Sequence, residues 1–130
     1  MELLNRLKWG AIALGALIGL AASMLAFLFL GIIGVIDSND ALGPLLFLQL
    51  FGLVTAGYVS GRLSDRDRPL HGGMSGLTLF VITTAITVAS KPQSHQLASQ
   101  DIPIPVVAIG GLIAVILGSV GGALAQLRCK

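Results

Sequence analysis

Two polar side chains within the apolar sequence could take part in chemistry, a histidine and a glutamine. His71 lies in R-P-L-H-G-G, close to Arg66 and Arg68, where an imidazole could ligate a metal, haem or chlorophyll, or bind a lipid phosphate. A lone histidine more commonly caps or packs at the start of a helix, and we favour that role. Gln49 lies deep in another apolar run, where its amide could line a small polar site or clamp a neighbouring helix.

The sequence contains no arrangement typical of an enzyme or a metal centre. A catalytic base would have to be His71, His95 or an exposed carboxylate, and none has supporting residues at a catalytic spacing. The sequence has no P-loop and no Ser/His/Asp set. Cys129 is the only cysteine, so no intrachain disulfide can form. We therefore expect a protein that is not an enzyme and has no metal site.

The composition predicts that lipid is the solvent for most of the surface. Of 130 residues, 55% are hydrophobic and only 11% are charged, whereas a soluble domain has about 25% charged residues. The net charge of +2 gives no reason to expect nucleic acid as a partner. No Asp, Glu, Lys or Arg lies inside the apolar runs, which argues against proton- or ion-coupled transport.

Four apolar runs predict an all-α integral membrane protein, a bundle of four transmembrane helices in a single domain. The spans are predicted at about 9–36, 41–61, 72–90 and 104–127. Each run is long enough to cross the hydrocarbon core, which is ~30 Å thick. The first run is longer than the core of a cleavable signal peptide, so we expect it to be retained.

Acidic residues and prolines mark the starts of the second and fourth spans. Asp40 and Asp101 precede these spans, where a carboxylate can accept from the free N–H groups of a helix start. Pro44 and Pro105 follow within about one turn, where a missing N–H costs least. Both features predict helix starts near residues 41 and 104.

The basic residues predict the orientation in the membrane. Seven of the eight lie at the termini or between spans two and three, namely Arg6, Lys8, Arg62, Arg66, Arg68, Arg128 and Lys130. Lys91 alone lies on the other side. The positive-inside rule then places both termini in the cytoplasm. We expect Arg62, Arg66 and Arg68 to contact lipid headgroups there.

The sequence also aligns with itself at a shift of 61 residues without a gap. This shift places Gly57 on Gly118 and Gly61 on Gly122, and it aligns S-N-D-A-L-G-P with S-Q-D-I-P-I-P. The pattern predicts a duplicated hairpin, with one repeat at about 1–68 and the other at about 69–130. Two spans per repeat make these parallel repeats, with a symmetry axis along the membrane normal.

Small residues recur every four positions in each span, which predicts close helix contacts. The glycines of these series are Gly15, Gly19, Gly57, Gly61, Gly72, Gly76, Gly118 and Gly122. Packing within the chain is the favoured interpretation, because such series are common in membrane helices. The alternative is an interface for a larger complex.

The central stretch from Gly57 to Leu77, G-Y-V-S-G-R-L-S-D-R-D-R-P-L-H-G-G-M-S-G-L, resembles a family of small membrane proteins. It is similar to the YrzE-like four-span prokaryotic proteins and to a related archaeal four-span family, which share L-H-G at the start of span three. The glycine-rich G-S-V-G-G-A-L near the C-terminus resembles them too. The resemblance implies four spans in a prokaryotic plasma membrane, and it implies no catalytic residues.

Three hypotheses for the function follow. The leading one is a non-enzymatic accessory or assembly subunit that packs against larger membrane proteins, with Gly57→Leu or Gly118→Leu breaking the association. The second is a small homo-oligomeric channel or facilitator, lined by Gln49 and the threonines of span three. The third is a pigment- or haem-binding subunit that uses His71. The expected partners are therefore the lipid bilayer with other membrane subunits or further copies of this chain.

Overall fold

The computed structural model describes residues 8–34, 42–65, 67–89 and 104–127. These residues form four α-helices: α1, Trp9–Ile32; α2, Leu42–Leu63; α3, Arg68–Ala89; and α4, Ile104–Leu127. All four are long and apolar enough to cross a membrane, which confirms the prediction of an all-helical, four-span chain. Asp40 and Asp101 lie outside the described residues, so their capping role stays a prediction.

The third helix begins earlier than the sequence predicts, at Arg68 rather than near Gly72. Pro69 is its second residue, a position where a proline is tolerated because its missing N–H would have no partner within the helix. The N–H of His71 donates to the carbonyl of Asp67 at 3.1 Å and closes the first turn. His71 therefore lies inside the helix and not in a loop before it.

Two residues with positive φ sit at helix ends. Gly34 (φ 72°) follows the last turn of α1, where its N–H donates to the carbonyl of Gly31. This is the left-handed conformation in which glycine commonly ends a helix. Asp67 (φ 52°) lies just before α3 and is one of the residue types that tolerate this conformation.

The helices do not form a symmetric square. α2 and α3 contact each other, and each also contacts both α1 and α4. Between their described residues, α1 and α4 make no contact, so these two helices lie on opposite sides of the α2–α3 pair. A strict two-fold relation between two hairpins would make the α1–α4 contact equivalent to the α2–α3 contact, and the bundle departs from it.

The contacts between α2 and α4 agree with a two-fold arrangement of the two hairpins. A Cβ atom on Gly57 would collide with the carbonyl oxygen of Gly118, and one on Gly61 would lie 2.8 Å from the Cα of Gly122. Residues that are equivalent under the 61-residue shift thus meet each other, as residues at a two-fold axis do. The duplication itself stays a prediction.

Close packing is concentrated in one half of the bundle. We call this half the closed end; it holds the start of α1, the end of α2, the start of α3 and the end of α4 (9–19, 53–63, 68–79 and 114–127). Every buried residue of α1, α3 and α4 lies there. The other half, the open end, comprises 20–32, 42–52, 80–89 and 104–113. Among its described side chains, only Leu48 and Gly52 are buried.

Candidate functional site

The closed end contains a buried polar cluster centred on His71, which is 3% exposed. We define the His71 cluster as His71 with Ser60, Ser64, Ser75 and the backbone of Lys8. The backbone N–H of Lys8, just before α1, donates to Nε2 of His71 at 3.1 Å. Because this donor belongs to the unpaired N–H groups of a helix start, the imidazole of α3 caps α1 from a neighbouring helix.

These contacts select one tautomer of the imidazole. Nε2 accepts the hydrogen bond from the N–H of Lys8, which places the ring N–H on Nδ1. Nδ1 lies 3.1 Å from the carbonyl oxygen of Asp67 and 3.1 Å from Oγ of Ser64. Both ring nitrogens are therefore engaged within the protein.

Serine hydroxyls extend the cluster between helices. Ser60 Oγ of α2 donates to the carbonyl of His71 at 3.1 Å. Ser75 Oγ of α3 donates to the carbonyl of Ile12 in α1 at 3.2 Å. Ser60 and Ser75 are fully buried, and both face the small-residue contacts around Gly15. The cluster thus joins α1, α2 and α3 by hydrogen bonds where their backbones approach closely.

The charged residues around the cluster also hold helix ends. Arg68 donates from Nε to the carbonyl of Ser64 and from Nη1 to the carbonyl of Ala125, both at 3.3 Å. A cation at these carbonyls complements the negative ends of α2 and α4. Half-buried Arg68 is therefore a helix-end cap, and its contact with lipid headgroups stays a prediction.

An exposed ion pair lies beside the cluster. Nζ of Lys8 lies 2.6 Å from Oδ2 of Asp65, with 56% and 86% of the two side chains exposed. The hydrogen bond from the Lys8 ammonium lowers the pKa of the Asp65 carboxyl, and the charges of Lys8 and Arg68 act in the same direction. Arg62 is exposed at the end of α2, and Arg66 lies outside the described residues.

Ser64 and His71 have the composition of a nucleophile and its base, but their surroundings do not suit that use. Ser64 is 1% exposed and His71 is 3% exposed, so a substrate cannot approach either side chain in this conformation. The two engaged ring nitrogens also leave no free ligand for a haem or chlorophyll. Among the described residues, no three His, Cys, Asp or Glu side chains form a group that could hold a metal.

The open end brings Gln49 together with threonines of α3, as the channel hypothesis expects. A cleft of about 370 Å³ between α2, α3 and α4 is lined by Gln49, Thr83 and Thr84. A groove of about 470 Å³ between α1, α2 and α3 shares Gln49 and Thr83 with it. We call these the α2–α3–α4 cleft and the α1–α2–α3 groove.

The polar side chains that line the α2–α3–α4 cleft differ in how they are satisfied. Thr83 Oγ1 donates within its own helix, with the carbonyls of Leu79 and Phe80 both at 3.0 Å. Thr84 and Gln49 have no hydrogen-bond partner among the described residues. The cleft therefore presents an amide and a hydroxyl that are free to bind.

The sequence predicts His71 and Gln49 as candidate site residues but not the serines around His71. Ser75 is four residues after His71, and Ser64 is four residues after Ser60, so each pair shares a helix face. This four-residue spacing is the sequence feature that could have identified the serines. The contact between Lys8 and His71 had no local signal, because 63 residues separate them.

No family model, curated protein or solved structure matches this chain. The resemblance to the YrzE-like family therefore stays a prediction, and the function has to be argued from the geometry.

Proposed function

We propose that this protein is a non-enzymatic accessory or assembly subunit that holds a transmembrane helix of a larger membrane protein at its open end. The observation that carries the proposal is the α1–α2–α3 groove, which lies between these helices at the open end. Beyond Gly19, no described residue of α1 is buried. The chain thus offers a largely unpacked apolar helix beside an apolar groove.

The groove replaces the glycine series as the surface for a partner. All eight predicted glycines lie in contacts within the chain, where an added Cβ atom would meet backbone or small side chains. They support the interpretation of packing within the chain and leave no glycine face for a second protein. The groove instead offers space for large side chains of another helix, and packing of this kind drives helix association in lipid.

The proposal includes both termini in the cytoplasm of a prokaryotic cell. α1 starts and α4 ends at the closed end, where Arg68 bonds Ala125 of α4 and Lys8 bonds His71. The described cations, Lys8, Arg62 and Arg68, lie at this same end. An even number of spans together with this charge distribution supports the positive-inside orientation.

Photocrosslinking in native membranes tests the proposal. A photoreactive residue at Met24 in the groove should give one defined adduct with another membrane protein, identified by mass spectrometry after gentle extraction. The matched position is Leu17, which is exposed at the closed end of the same helix. Adducts with lipid alone at Met24, or the same adducts from both positions, would overturn the proposal.

A second experiment tests the proposal by filling the groove with a large side chain. Ile86→Trp places a large side chain in the α1–α2–α3 groove, whereas Val88→Trp places one on an exposed part of α3 outside the groove lining. We expect only Ile86→Trp to remove the Met24 adduct.

A homo-oligomeric facilitator is the second candidate, favoured by the meeting of Gln49, Thr83 and Thr84 in one cleft. The buried His71 cluster blocks a passage through a single chain, so solute would have to pass between copies. Solute flux in proteoliposomes that is lost on Gln49→Leu and kept in Thr55→Val would support it. An absence of flux across a panel of small solutes would count against it.

A further inference from the structure

The α2–α3–α4 cleft has the features of a binding site for a small molecule dissolved in the membrane. Its volume of about 370 Å³ lies within the range of small-molecule pockets, about 300–1,000 Å³. The lining combines apolar side chains with the amide of Gln49 and the hydroxyl of Thr84. This inference concerns a different cavity from the groove proposed for a partner helix and does not depend on that proposal.

The two polar groups need a hydrogen-bond partner. Neither Gln49 nor Thr84 has one among the described residues. The usual solution for Thr84 would be the carbonyl four residues earlier, that of Phe80, but Thr83 already donates to that carbonyl at 3.0 Å. Hydrocarbon supplies no partner, so an acceptor within the cleft lowers the free energy of both donors.

The depth of these donors restricts what the acceptor can be. Gln49 lies about 10 Å along α2 from Leu42, and α2 is about 33 Å long, close to the thickness of the hydrocarbon core. Phospholipid headgroups and ester carbonyls lie outside that core, and acyl chains within it carry no acceptor. An occupant that carries its own hydrogen-bond acceptor into the hydrocarbon can satisfy these donors.

Phe80 contributes an aromatic side chain to the wall of the cleft. The ring of Phe80 lies against Gly110, where a Cβ atom would be 2.7 Å from Cζ of the ring. The missing side chain at Gly110 thus leaves room for the edge of the ring against α4, and Phe80 lines the cleft. Aromatic side chains pack with other flat rings face to face or edge to face.

We propose that the α2–α3–α4 cleft binds a molecule of the quinone class, with a flat carbonyl-bearing ring and an apolar tail. The amide N–H of Gln49 and the hydroxyl of Thr84 donate to ring carbonyls, and Phe80 packs against the ring. The tail leaves the cleft sideways into the lipid. The proposal concerns binding only and includes no redox step.

The test uses the full chain in detergent micelles and two probes that differ only in the ring carbonyls, 2-decyl-1,4-benzoquinone and decylbenzene. The side-chain amide of Gln49 is followed by nitrogen-15 NMR and assigned by its absence in Gln49→Leu. We expect a saturable shift of this resonance with the benzoquinone and none with decylbenzene. Equal shifts with both probes would identify a site for hydrocarbon chains and overturn the proposal, as would no shift with either.

A pair of threonine variants provides the matched control. Thr84→Val removes the hydroxyl from the cleft and keeps the shape, whereas Thr55→Val removes a hydroxyl on α2 that bonds its own helix at Phe51. Loss of one hydrogen bond should weaken benzoquinone binding about fivefold in Thr84→Val and leave it unchanged in Thr55→Val. Equal affinities in both variants would contradict the assigned role of Thr84. Unchanged backbone amide spectra of the variants show that each is folded.

Discussion

The His71 cluster at the closed end and the pair of Gln49 and Thr84 at the open end use polar groups in opposite ways. At the closed end, His71 and its serines are buried and bond across helices, in contacts as close as glycine backbones allow. At the open end, Gln49 is exposed in the membrane region, and it and Thr84 have no partner among the described residues. Polar groups that are satisfied stabilise the fold, whereas polar groups left free in lipid are available for a ligand or a partner.

The difference follows from the side chains that separate the backbones. Glycine and serine occupy the contact faces of the closed end, so backbones approach to van der Waals distance and short hydroxyl groups can reach carbonyls on a neighbouring helix. At the open end, Phe80, Leu46 and Ile113 keep α2, α3 and α4 apart and leave the cleft. The bundle therefore consists of a rigid end and an end that can accept an occupant.

The largest expected effect comes from breaking the closed end at the α2–α4 crossing. Gly57→Leu or Gly118→Leu places a side chain where the facing backbone lies, and we expect a loss of about 3 kcal/mol or more in unfolding free energy. The control is Gly31→Leu in α1, where a Cβ atom meets nothing within 4 Å. Helicity followed during titration with sodium dodecyl sulfate measures the difference.

If the two closed-end variants unfold at the same detergent concentration as Gly31→Leu, the α2–α4 crossing is not close-packed. The sequence suggested that loss of a partner in Gly57→Leu or Gly118→Leu would identify a partner surface, and the contacts within the bundle change that interpretation. Loss of a partner in Gly57→Leu would report a disrupted bundle and not a partner surface.

Replacing the buried imidazole of His71 should reduce the stability more than replacing the free amide of Gln49. His71→Leu leaves the N–H of Lys8 without its side-chain acceptor and removes the contact between Ser64 Oγ and Nδ1, and we expect a loss of about 2 kcal/mol. Gln49→Leu removes an amide that bonds no described residue, so its stability should change by less than about 0.5 kcal/mol. Hydrogen exchange at residues 8–12 should accelerate only in His71→Leu. Equal losses of stability would remove the distinction between the two ends.

The sequence predicts the four helices well because hydropathy and backbone satisfaction in lipid leave few alternatives. It also predicts which glycines lie at helix contacts, since a period of four places them on one face. It does not predict that His71 is buried, because its basic neighbours and its place at the predicted start of span three suggest the membrane interface, and its partner Lys8 precedes a different helix. The free amide of Gln49 was predicted as a candidate site, but its cleft depends on how α2, α3 and α4 pack together.

Phe80 shows why the predicted repeat does not predict the packing. The 61-residue shift places Phe80 on Gly19, whose Cβ would lie 2.6 Å from the Cβ of Ala56. An aromatic ring cannot enter so close a contact and lies over Gly110 instead. Gly15 lies against Ala56 and Ser60, so the 61-residue shift predicts that Gly76 lies against Leu117 and Gly121. Gly76 instead lies against Ala114 and Gly118. One large side chain displaces the register of the second hairpin by about a turn.

A smaller effect distinguishes hydrogen bonds between helices from those within a helix. Ser75→Ala removes the bond to the carbonyl of Ile12, and we expect a loss of about 0.6–1 kcal/mol. Thr78→Val removes a hydroxyl that bonds its own helix at Met74, and we expect almost no change. The detergent titration measures both, and a Thr78→Val loss as large as that of Ser75→Ala would show that the bond between helices gives no extra stability.

The smallest effect is that of the exposed ion pair between Lys8 and Asp65. The Lys8 hydrogen bond lowers the pKa of Asp65 in the folded chain, so the pair stabilises the fold above the pKa of the unfolded carboxyl, about pH 4. This contribution is lost as the pH falls through the lower folded pKa, and 1 M salt screens it. Asp65→Asn should therefore have a slightly lower Tm than the parent at pH 6 and low salt, and the difference should shrink as the pH falls below about 4 or in 1 M salt. A Tm difference that stays unchanged as the pH falls below about 4 and in high salt would assign the effect of Asp65 to something other than its charge.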